Sequence, residues 1–315
     1  METIVDLERM AAAHWRGTEE EWLGDWLLRA AEGFTGRANS ALPLGDPGLP
    51  LDEAIAAVAN WYRARGLPPM IVVPAPIEPA PIESGPAGPG PIDPVPAGDP
   101  LDGHLTRRGW LTRPGPAFVM LADLPLGAAT DGLGESRAVQ VSPEPDDAWA
   151  ARYHYRGQDT LPPVARKVLT SAEHQSFVSI RDGGEVVAIA RLSVAGGWGG
   201  LTAVEVHPDH RRRRLGTAIT AAACQQAERH GASRVFLQVE TGNDPAQALY
   251  RRLGFRYSHR YHYRVAPLPG GAGVAPRHVP LQPCGPPGPV RLGPVAPRRA
   301  SIGPVAHGAG TNVSL

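Results

Sequence analysis

One run of residues in the C-terminal half has the composition of a phosphate site. An alternating apolar segment ends at Val206, Pro208 starts a turn, and a helical pattern begins near Gly216. N–H groups at a helix start lack partners within the helix, and the helix dipole favours an anion there. Glycine allows close approach of a ligand, and arginines add charge-assisted hydrogen bonds. The predicted cofactor-binding residues are Val204, Val206, Arg211, Arg212, Arg213, Arg214, Leu215, Gly216, Thr217 and Ala218.

This run resembles the acetyl-CoA motif of the GNAT superfamily of N-acetyltransferases, Gln/Arg-x-x-Gly-x-Gly/Ala. Counted from Pro208, Arg211 and Gly216 match the pattern, and Arg214 stands where the family has its first glycine. A register starting at Arg213 fits the pattern better but not the distance from the proline. We prefer the first register. It puts arginine at position 214, and a positive φ is unfavourable for a residue other than glycine.

A second motif is similar to the GNAT ending Asn-x6-Tyr-x3-Gly-Phe, with Asn243 and Tyr250 at the matching positions. The resemblance implies that Asn243 contacts the pantetheine arm of acetyl-CoA and that Tyr250 protonates the leaving thiolate. A phenol, with a pKa near ~10, can do so. It also implies that a backbone N–H, here assigned to Val206, holds the thioester oxygen. Glu205 is the first candidate for the base that takes the amine proton, and Glu240 is the second.

Two segments, residues 74–100 and 266–315, are rich in proline and glycine. Proline lacks an N–H and fixes φ, so neither segment can form a helix or an inner strand. We expect an insertion and a disordered tail. The remaining blocks are residues 1–124 and 136–265. The second has the element order βααβββαβαβ, which predicts the α+β class, and the resemblance implies a GNAT fold with a mixed central sheet flanked by helices.

The N-terminal block repeats the second half of that pattern. Helices are predicted at 51–65 and 101–108, strands at 70–73 and 117–121, and a hairpin at 26–44. Its loop lacks arginine and its second helix lacks tyrosine, so it is predicted to be a degenerate partial GNAT repeat that does not bind coenzyme A. The predicted acceptor-binding residues, for a polar and carboxylate-bearing acceptor, are Arg37, Asn39 and Ser40. The alternative is that these three residues only stabilise a turn and bind no acceptor.

Composition argues against several other classes of protein. The formal net charge is zero and the pI is near 7.2, which disfavours nucleic acid and membrane partners. No apolar run reaches membrane-spanning length, and the acidic N-terminus does not resemble a secretory signal. The two cysteines, Cys224 and Cys284, fit a reducing compartment, so a cytoplasmic location is expected.

Several candidate residues also have a plain structural interpretation. Tyr250 could be a core residue, Asn243 only a helix cap, Glu205 a solvated carboxylate, and the four arginines a solvated surface. His207 and His210 suggest a metal, but no third ligand stands at a matching spacing, so no metal is predicted. Tyrosines along the last strand are expected to be sheet packing, namely Tyr257, Tyr261 and Tyr263.

The sequence as a whole predicts an acyltransferase with one working active site, in residues 136–265. It would move an acetyl group from acetyl-CoA to a primary amine of a small molecule, by direct transfer. Residues 20–265 are similar to a tandem-GNAT subfamily labelled N-acetylglutamate-synthase-like, which suggests the α-amine of glutamate. The alternatives are another small-molecule or peptide amine and, because Arg214 replaces glycine, a non-catalytic module that senses acetyl-CoA.

Overall fold

The computed structural model describes residues 2–77, 100–126, 137–153 and 160–267. In these ranges none of the helices is long and apolar enough to span a membrane. The helices are α1 (Ile4–His14), α2 (Leu51–Arg63), α3 (Pro100–Arg107), α4 (Asp147–Arg152), α5 (Pro163–Leu169), α6 (Leu215–Arg229) and α7 (Asp244–Arg252). The strands are β1 (Glu19–Leu23), β2 (Trp26–Ala30), β3 (Leu42–Pro43), β4 (Met70–Pro76), β5 (Leu111–Asp123), β6 (Arg137–Ser142), β7 (His174–Asp182), β8 (Glu185–Ala195), β9 (Trp198–Val206), β10 (Arg234–Glu240) and β11 (Arg256–Val265).

Eight strands form one mixed sheet in the order β4-β11-β5-β10-β9-β8-β7-β6. β9 and β10 run parallel, and every other neighbouring pair is antiparallel. A small antiparallel sheet, β1-β2-β3, comes first in the chain. The predicted α+β class, with a mixed sheet flanked by helices, is confirmed.

The two blocks of the chain interleave in the large sheet. The series α2-β4-α3-β5 in the N-terminal block matches the series α6-β10-α7-β11 in the C-terminal block. β11 lies between β4 and β5, and β5 lies between β11 and β10, so each block places a strand inside the other. The boundary predicted between 1–124 and 136–265 therefore falls within one sheet. Division of the chain into domains at that point stays a prediction.

Each face of the sheet has its own core. On one face, α6 and α7 cover β8 and β10, and Ile219, Leu237 and Tyr250 belong to one buried cluster. On the other face, α4 and α5 pack around Trp149 and Phe177, in a cluster that also includes Trp15. Alternation along β10 places Leu237 and Val239 toward α6, whereas Phe236 and Gln238 face the α1 side. The two faces therefore present different side chains beside the same strand.

A fully buried arginine ties two helices to β8. The Arg191 guanidinium donates to the carbonyl of Leu169 at 2.6 Å and to that of His14 at 3.2 Å. These are the last residues of α5 and α1, where helix dipoles place partial negative charge. Burial, and then the charge of Arg37, lower the pKa of Arg191 to about 9, so it stays protonated at neutral pH. The two helix ends therefore compensate the buried charge.

The N-terminal region differs from the predicted order of elements. α1 and β1 were not predicted, and β1 adds a longer antiparallel partner to β2. The predicted pairing within 26–44 is present but short, because β2 pairs antiparallel with β3 only where Trp26 lies opposite Pro43 and Leu27 opposite Leu42. The stretch predicted as the second strand, 37–44, instead contains a 3-10 turn, Arg37–Asn39, followed by the two-residue β3. β4 runs three residues into the predicted insertion. The rest of the insertion from 78 to 99, and the tail from 268, lie outside the described residues.

Candidate active site

β9 and β10 separate part of the way along their length. Their parallel pairing runs from Trp198 and Arg234 to Leu201 and Leu237, and it stops there. At the same level the register between β9 and β8 shifts, and Ala203 adopts a φ of +51°, which marks a β-bulge. A gap therefore opens in the sheet, and it begins at Thr202 and Gln238.

The backbone N–H of Val206 points into this gap. His207 N donates to Val187 O at 2.9 Å, so the next pair along, Val206 and Ala188, occupies a non-hydrogen-bonded position. The Val206 N–H is then directed away from β8, toward the side that β10 has left. An N–H in this position can stabilise negative charge on a carbonyl oxygen.

The arginine run forms the turn before α6. Arg212 and Arg214 both have φ of +60°, a left-handed conformation that favours glycine. Arg214 is the N-cap of α6 and provides no side-chain cap, and the N–H groups of residues 215–217 have no acceptor within the helix. A Cβ added to Gly216 would lie 2.7 Å from Cδ1 at the end of the Leu249 side chain, which would have to move to make room for it. The exposed arginines and the uncapped helix start fit a phosphate-bearing ligand.

The two residues of the second motif lie on α7. Asn243 Oδ1 accepts a hydrogen bond from Ala246 N at 3.2 Å, so this side chain does cap the helix. Tyr250 is buried, and its ring packs edge-on against Phe255 with 5.7 Å between centroids. Burial, followed by the nearby Cys224, raises the pKa of Tyr250 well above its usual value. The phenol is therefore protonated at neutral pH, as a proton donor must be.

A small polar cavity lies where the gap begins, on the face of the sheet that carries α1. Arg37 Nη1 donates to Gln238 Oε1 at 2.6 Å, and the Tyr261 hydroxyl donates to the same oxygen at 3.2 Å. The Arg37 guanidinium lies 4.8 Å from the centre of the Trp15 ring, a cation–π contact. The remaining lining residues are Glu8, Ala11, Ala12, His14, Arg29, Val72, Thr202, Phe236 and Tyr263.

Asn39 and Ser40, predicted to bind the acceptor, have structural roles instead. Asn39 Oδ1 accepts from the N–H groups of Ala31 and Gly33 at 2.8 and 2.9 Å, and its Nδ2 donates to two backbone carbonyls. Ser40 is fully buried, and its Oγ accepts from Arg29 Nη2 at 3.3 Å. The side chains of Asn39 and Ser40 therefore stabilise the 3-10 turn that is found where a strand was predicted. Arg37 is the one predicted acceptor residue that lines the cavity.

The two candidate bases differ in their surroundings. Glu205 is partly buried and lies opposite Ile189, which packs on the α5 side of the sheet, so its side chain is on the same face as the cavity. Glu240 is exposed at the end of β10, where Gln247 Nε2 donates to its backbone carbonyl at 3.0 Å. Alternation along β10 puts Glu240 on this face as well, so burial distinguishes the two residues. Glu205 is partly buried beside the bulge and Glu240 is exposed, which favours Glu205.

A group of possible metal ligands lies beside the arginine turn. Glu185, His207 and His210 have ligand atoms within 4.8 Å of one another. Sequence spacing did not indicate Glu185 as the third ligand because it starts a different strand. His207 Nδ1 accepts from Asp209 N at 3.1 Å, so the proton of the neutral ring is on Nε2, the atom 3.8 Å from Glu185 Oε1. Metal binding through that nitrogen requires loss of its proton.

Sequence reasoning missed the cavity residues of α1. Glu8, His14 and Trp15 all lie on or just after this helix, which was not predicted. A signal for the helix was present: Thr3 and Asp6 form a capping box, with the Thr3 Oγ1 accepting from Asp6 N at 3.2 Å. Tyr261 and Tyr263, expected to be sheet packing, also line the cavity.

Comparisons with known proteins agree with this geometry. Residues 2–87 and 105–264 match the family model described as probable histone acetyltransferase Rv0428c C-terminal. An uncharacterized N-acetyltransferase, YobR of Bacillus subtilis, is 26% identical over 84% of this chain and 99% of its own length. The probable histone acetyltransferase Rv0428c of Mycobacterium tuberculosis is 28% identical over 82% of this chain and 73% of its own.

Solved structures show the same fold. A GCN5-related N-acetyltransferase from Kribbella flavida superposes with a TM-score of 0.58 at 19% identity, over 85% of this chain and 95% of that one. A tandem GNAT protein from the clavulanic acid biosynthesis pathway has a TM-score of 0.51 at 15% identity, over 72% and 74%. The narrower resemblance to N-acetylglutamate-synthase-like proteins stays a prediction. The family model covers most of the residues, so the chain belongs to that acetyltransferase family, and it is an acyltransferase with the GNAT fold.

Proposed function

We propose that the protein transfers the acetyl group of acetyl-CoA to a primary amine at the gap between β9 and β10. The observation that carries this proposal is the position of the gap. The uncapped start of α6 lies on one face of the sheet, the polar cavity lies on the other, and the Val206 N–H points between them. Acetyl-CoA on the α6 side and an amine in the cavity could therefore meet only at this opening.

GNAT acetyltransferases use acetyl-CoA as co-substrate, and the residues of the α6 turn suit it. The N–H groups of residues 215–217 would donate hydrogen bonds to a phosphate group of the coenzyme, with Arg211, Arg212, Arg213 and Arg214 around it. Gly216 would let the backbone approach the ligand closely. Asn243 would reach the pantetheine arm while it caps α7, since its Nδ2 is not used by the cap.

The transfer needs one nucleophile, one acid and one base. The amine nitrogen attacks the thioester carbon, a C–N bond forms, and the C–S bond breaks. The Val206 N–H stabilises the charge that develops on the carbonyl oxygen. The departing thiolate takes its proton from the Tyr250 hydroxyl, and Glu205, directly or through a water, takes the proton that the amine loses. Atoms and charges then balance, with the Tyr250 proton restored from solvent.

The acceptor that we would test first is glutamate, through its α-amine. The support comes from the cavity, where Arg37 pairs with none of the described acidic side chains and lies next to Gln238 at the start of the gap. A guanidinium can bind a carboxylate through two parallel hydrogen bonds. Other amines, of small molecules or peptides, are the alternative acceptors for the same chemistry.

Replacement of Tyr250 by phenylalanine tests the enzymatic proposal. The change removes the proton donor and keeps the buried ring, so we expect kcat to fall by about 10²-fold or more while the acetyl-CoA Kd is unchanged. The assay is release of coenzyme A with glutamate, other amino acids, polyamines, cysteinyl compounds and an N-terminal peptide as acceptors. The matched control is Tyr257→Phe, because the Tyr257 hydroxyl bonds Gln247 outside the gap.

Two results would contradict this mechanism. An unchanged kcat in Tyr250→Phe would remove the tyrosine from the reaction. Wild-type protein that binds acetyl-CoA but acetylates none of these amines would favour the non-catalytic sensing module, the second class of function that the sequence leaves open.

A further inference from the structure

Three arginines lie close to one buried tyrosine of the cavity wall. Arg29 and Arg37 line the same cavity as Tyr263, and the Arg113 guanidinium lies 5.5 Å from the centre of the Tyr263 ring. The positive charges of Arg37, Arg29 and Arg113 each oppose the rise that burial causes in the pKa of Tyr263. Only Arg37 was identified from the sequence. Arg29 comes from β2 and Arg113 from β5, so the fold brings together three distant parts of the chain.

In the part of the chain that the structure describes, none of these arginines is paired with an acid. Their side-chain hydrogen bonds go to neutral groups: Ser40 for Arg29, Gln238 Oε1 for Arg37 and the Met70 sulfur for Arg113. None of the three takes part in an ion pair with a described carboxylate within 4.0 Å. Arg29 is buried and the other two are half-buried, and like charges that lie close together repel one another unless an anion neutralises them.

Glu8 is the one carboxylate among the lining residues of the cavity. His259 Nε2 lies 2.8 Å from its Oε1, but a hydrogen bond does not remove the charge of a carboxylate. Burial, and then Arg191, lower the pKa of His14 to about 4, so this ring is neutral. Two helix ends compensate the buried Arg191. In the described residues, the cavity sets the single carboxylate of Glu8 against Arg29, Arg37 and the nearby Arg113, so positive charge is in excess.

We infer that the cavity is a carboxylate site, in which Arg37 and Arg29 bind a carboxylate of the acceptor molecule and the charge of Arg113, beside Tyr263, adds to the attraction. The inference rests on the proposed function and deepens it, since it limits the acceptors to amines that also carry a carboxylate. In an α-amino acid the amine is two bonds from the carboxylate carbon. A carboxylate at Arg37 therefore leaves the amine beside Gln238 and Thr202, where the gap begins.

Binding of simple carboxylates tests this inference without acetyl transfer. Isothermal titration of the wild-type protein would use L-glutamate, glutarate, the neutral glutaramide and inorganic phosphate at one ionic strength. We expect glutamate and glutarate to bind, and glutaramide and phosphate to bind at least ten-fold more weakly. Arg37→Gln keeps a side chain able to bond Gln238 but removes the charge, and it should weaken glutarate by about ten-fold or more. Arg113→Gln should weaken it in the same direction.

The chain offers a matched control. Arg65 also stacks on a tryptophan, 3.6 Å from the centre of the Trp61 ring, but at the surface and paired with Glu19. Arg65→Gln should leave glutarate binding unchanged, and acetyl-CoA should bind all variants as it binds the wild type.

The outcomes separate the two proposals. Carboxylate binding that depends on Arg37, in a protein that acetylates no amine, would support the site and contradict the enzymatic function. Acetylation of amines that lack a carboxylate, at rates equal to those of amino acids, would support the function and overturn the site. Equal binding of glutarate and glutaramide, tighter binding of phosphate, or no effect of Arg37→Gln would also overturn it.

Discussion

Arg214 occupies a backbone conformation that glycine adopts more easily. Its φ is +60° and its ψ is 11°, and an L-residue with a side chain pays about 1 kcal/mol for a left-handed conformation. The same holds for Arg212, also at +60°. The backbone conformation of the turn is one that glycine favours, and arginines occupy both of these positions. This combination indicates that the two side chains contribute something that outweighs the strain, and phosphate binding is the contribution that we expect.

Substitution at Arg214 separates backbone strain from charge. Arg214→Gly should raise the free energy of unfolding by up to about 1 kcal/mol relative to Arg214→Ala, since both remove the guanidinium and only glycine relieves the strain. Both variants should bind acetyl-CoA more weakly than the wild type, and to a similar extent. Urea unfolding and isothermal titration provide the two measurements. An alanine variant as stable as the glycine variant would mean that the turn is not strained, and unchanged affinity in both would remove Arg214 from the cofactor site.

At the level of elements, α1 depends on one glycine of β9. The His14 ring at the end of α1 lies over Gly200, with Nδ1 3.0 Å from Ser193 Oγ and the ring packed edge-on to Phe236. A Cβ at Gly200 would lie 2.8 Å from both His14 Nδ1 and Phe236 Cε1. Both atoms belong to rings held in the core. This helix, which contributes part of the cavity wall, can therefore approach the sheet only because this residue has no side chain.

Gly200→Ala is expected to destabilise the protein by about 1–3 kcal/mol, the usual cost of overpacking. Urea unfolding measures the change. Gly242→Ala is the matched control, because a Cβ there meets nothing within 4 Å and the residue does not have a positive φ. Loss of stability in both variants, or in neither, would contradict the importance of the close contact between α1 and β9.

The sequence predicts those elements best that have strong local signals. An apolar, alanine-rich pattern that Gly231 ends predicts a helix over 213–230, close to α6. The run Asp182-Gly183-Gly184 predicts the hairpin that β7 and β8 form. The turn at 37–39 could not be predicted in this way. It exists because the Asn39 amide satisfies four backbone groups of residues 31–35, a pattern that depends on three-dimensional closure.

The same contrast, between local sequence signals and contacts that only the fold creates, applies to the candidate site. Motif spacing placed Val206, Gly216 and Tyr250 because these positions follow one another on adjacent elements. The cavity could not be predicted from motif spacing, because the arginines in it and beside it come from β2, the 3-10 turn and β5. Only the interleaving of the sheet brings β5 next to β11 and so places Arg113 at Tyr263. Sequence distance gives no indication of that contact.

For the whole molecule, interleaving makes the two halves of the chain depend on each other. β5 pairs with β10 on one side, from Arg234 opposite Asp123 to Glu240 opposite Ala117, and with β11 on the other. Without residues 1–124, β10 would lose one neighbour and β11 would lose both. The exposed strand edges and the uncovered residues Tyr261 and Tyr263 of β11 would then face water.

The C-terminal block by itself is therefore expected not to fold, although the motifs that resemble the acetyl-CoA site are all in it. Residues 136–267 expressed alone should be aggregated or lack cooperative unfolding by circular dichroism, whereas the full chain should unfold in one transition. Coexpression with residues 1–126 should restore a soluble complex that binds acetyl-CoA, because the missing strand is supplied in trans. The matched control is a full chain shortened only after residue 267, which keeps every described strand. A folded, monomeric fragment 136–267 that binds acetyl-CoA by itself would contradict this dependence and would favour the domain boundary predicted between residues 124 and 136.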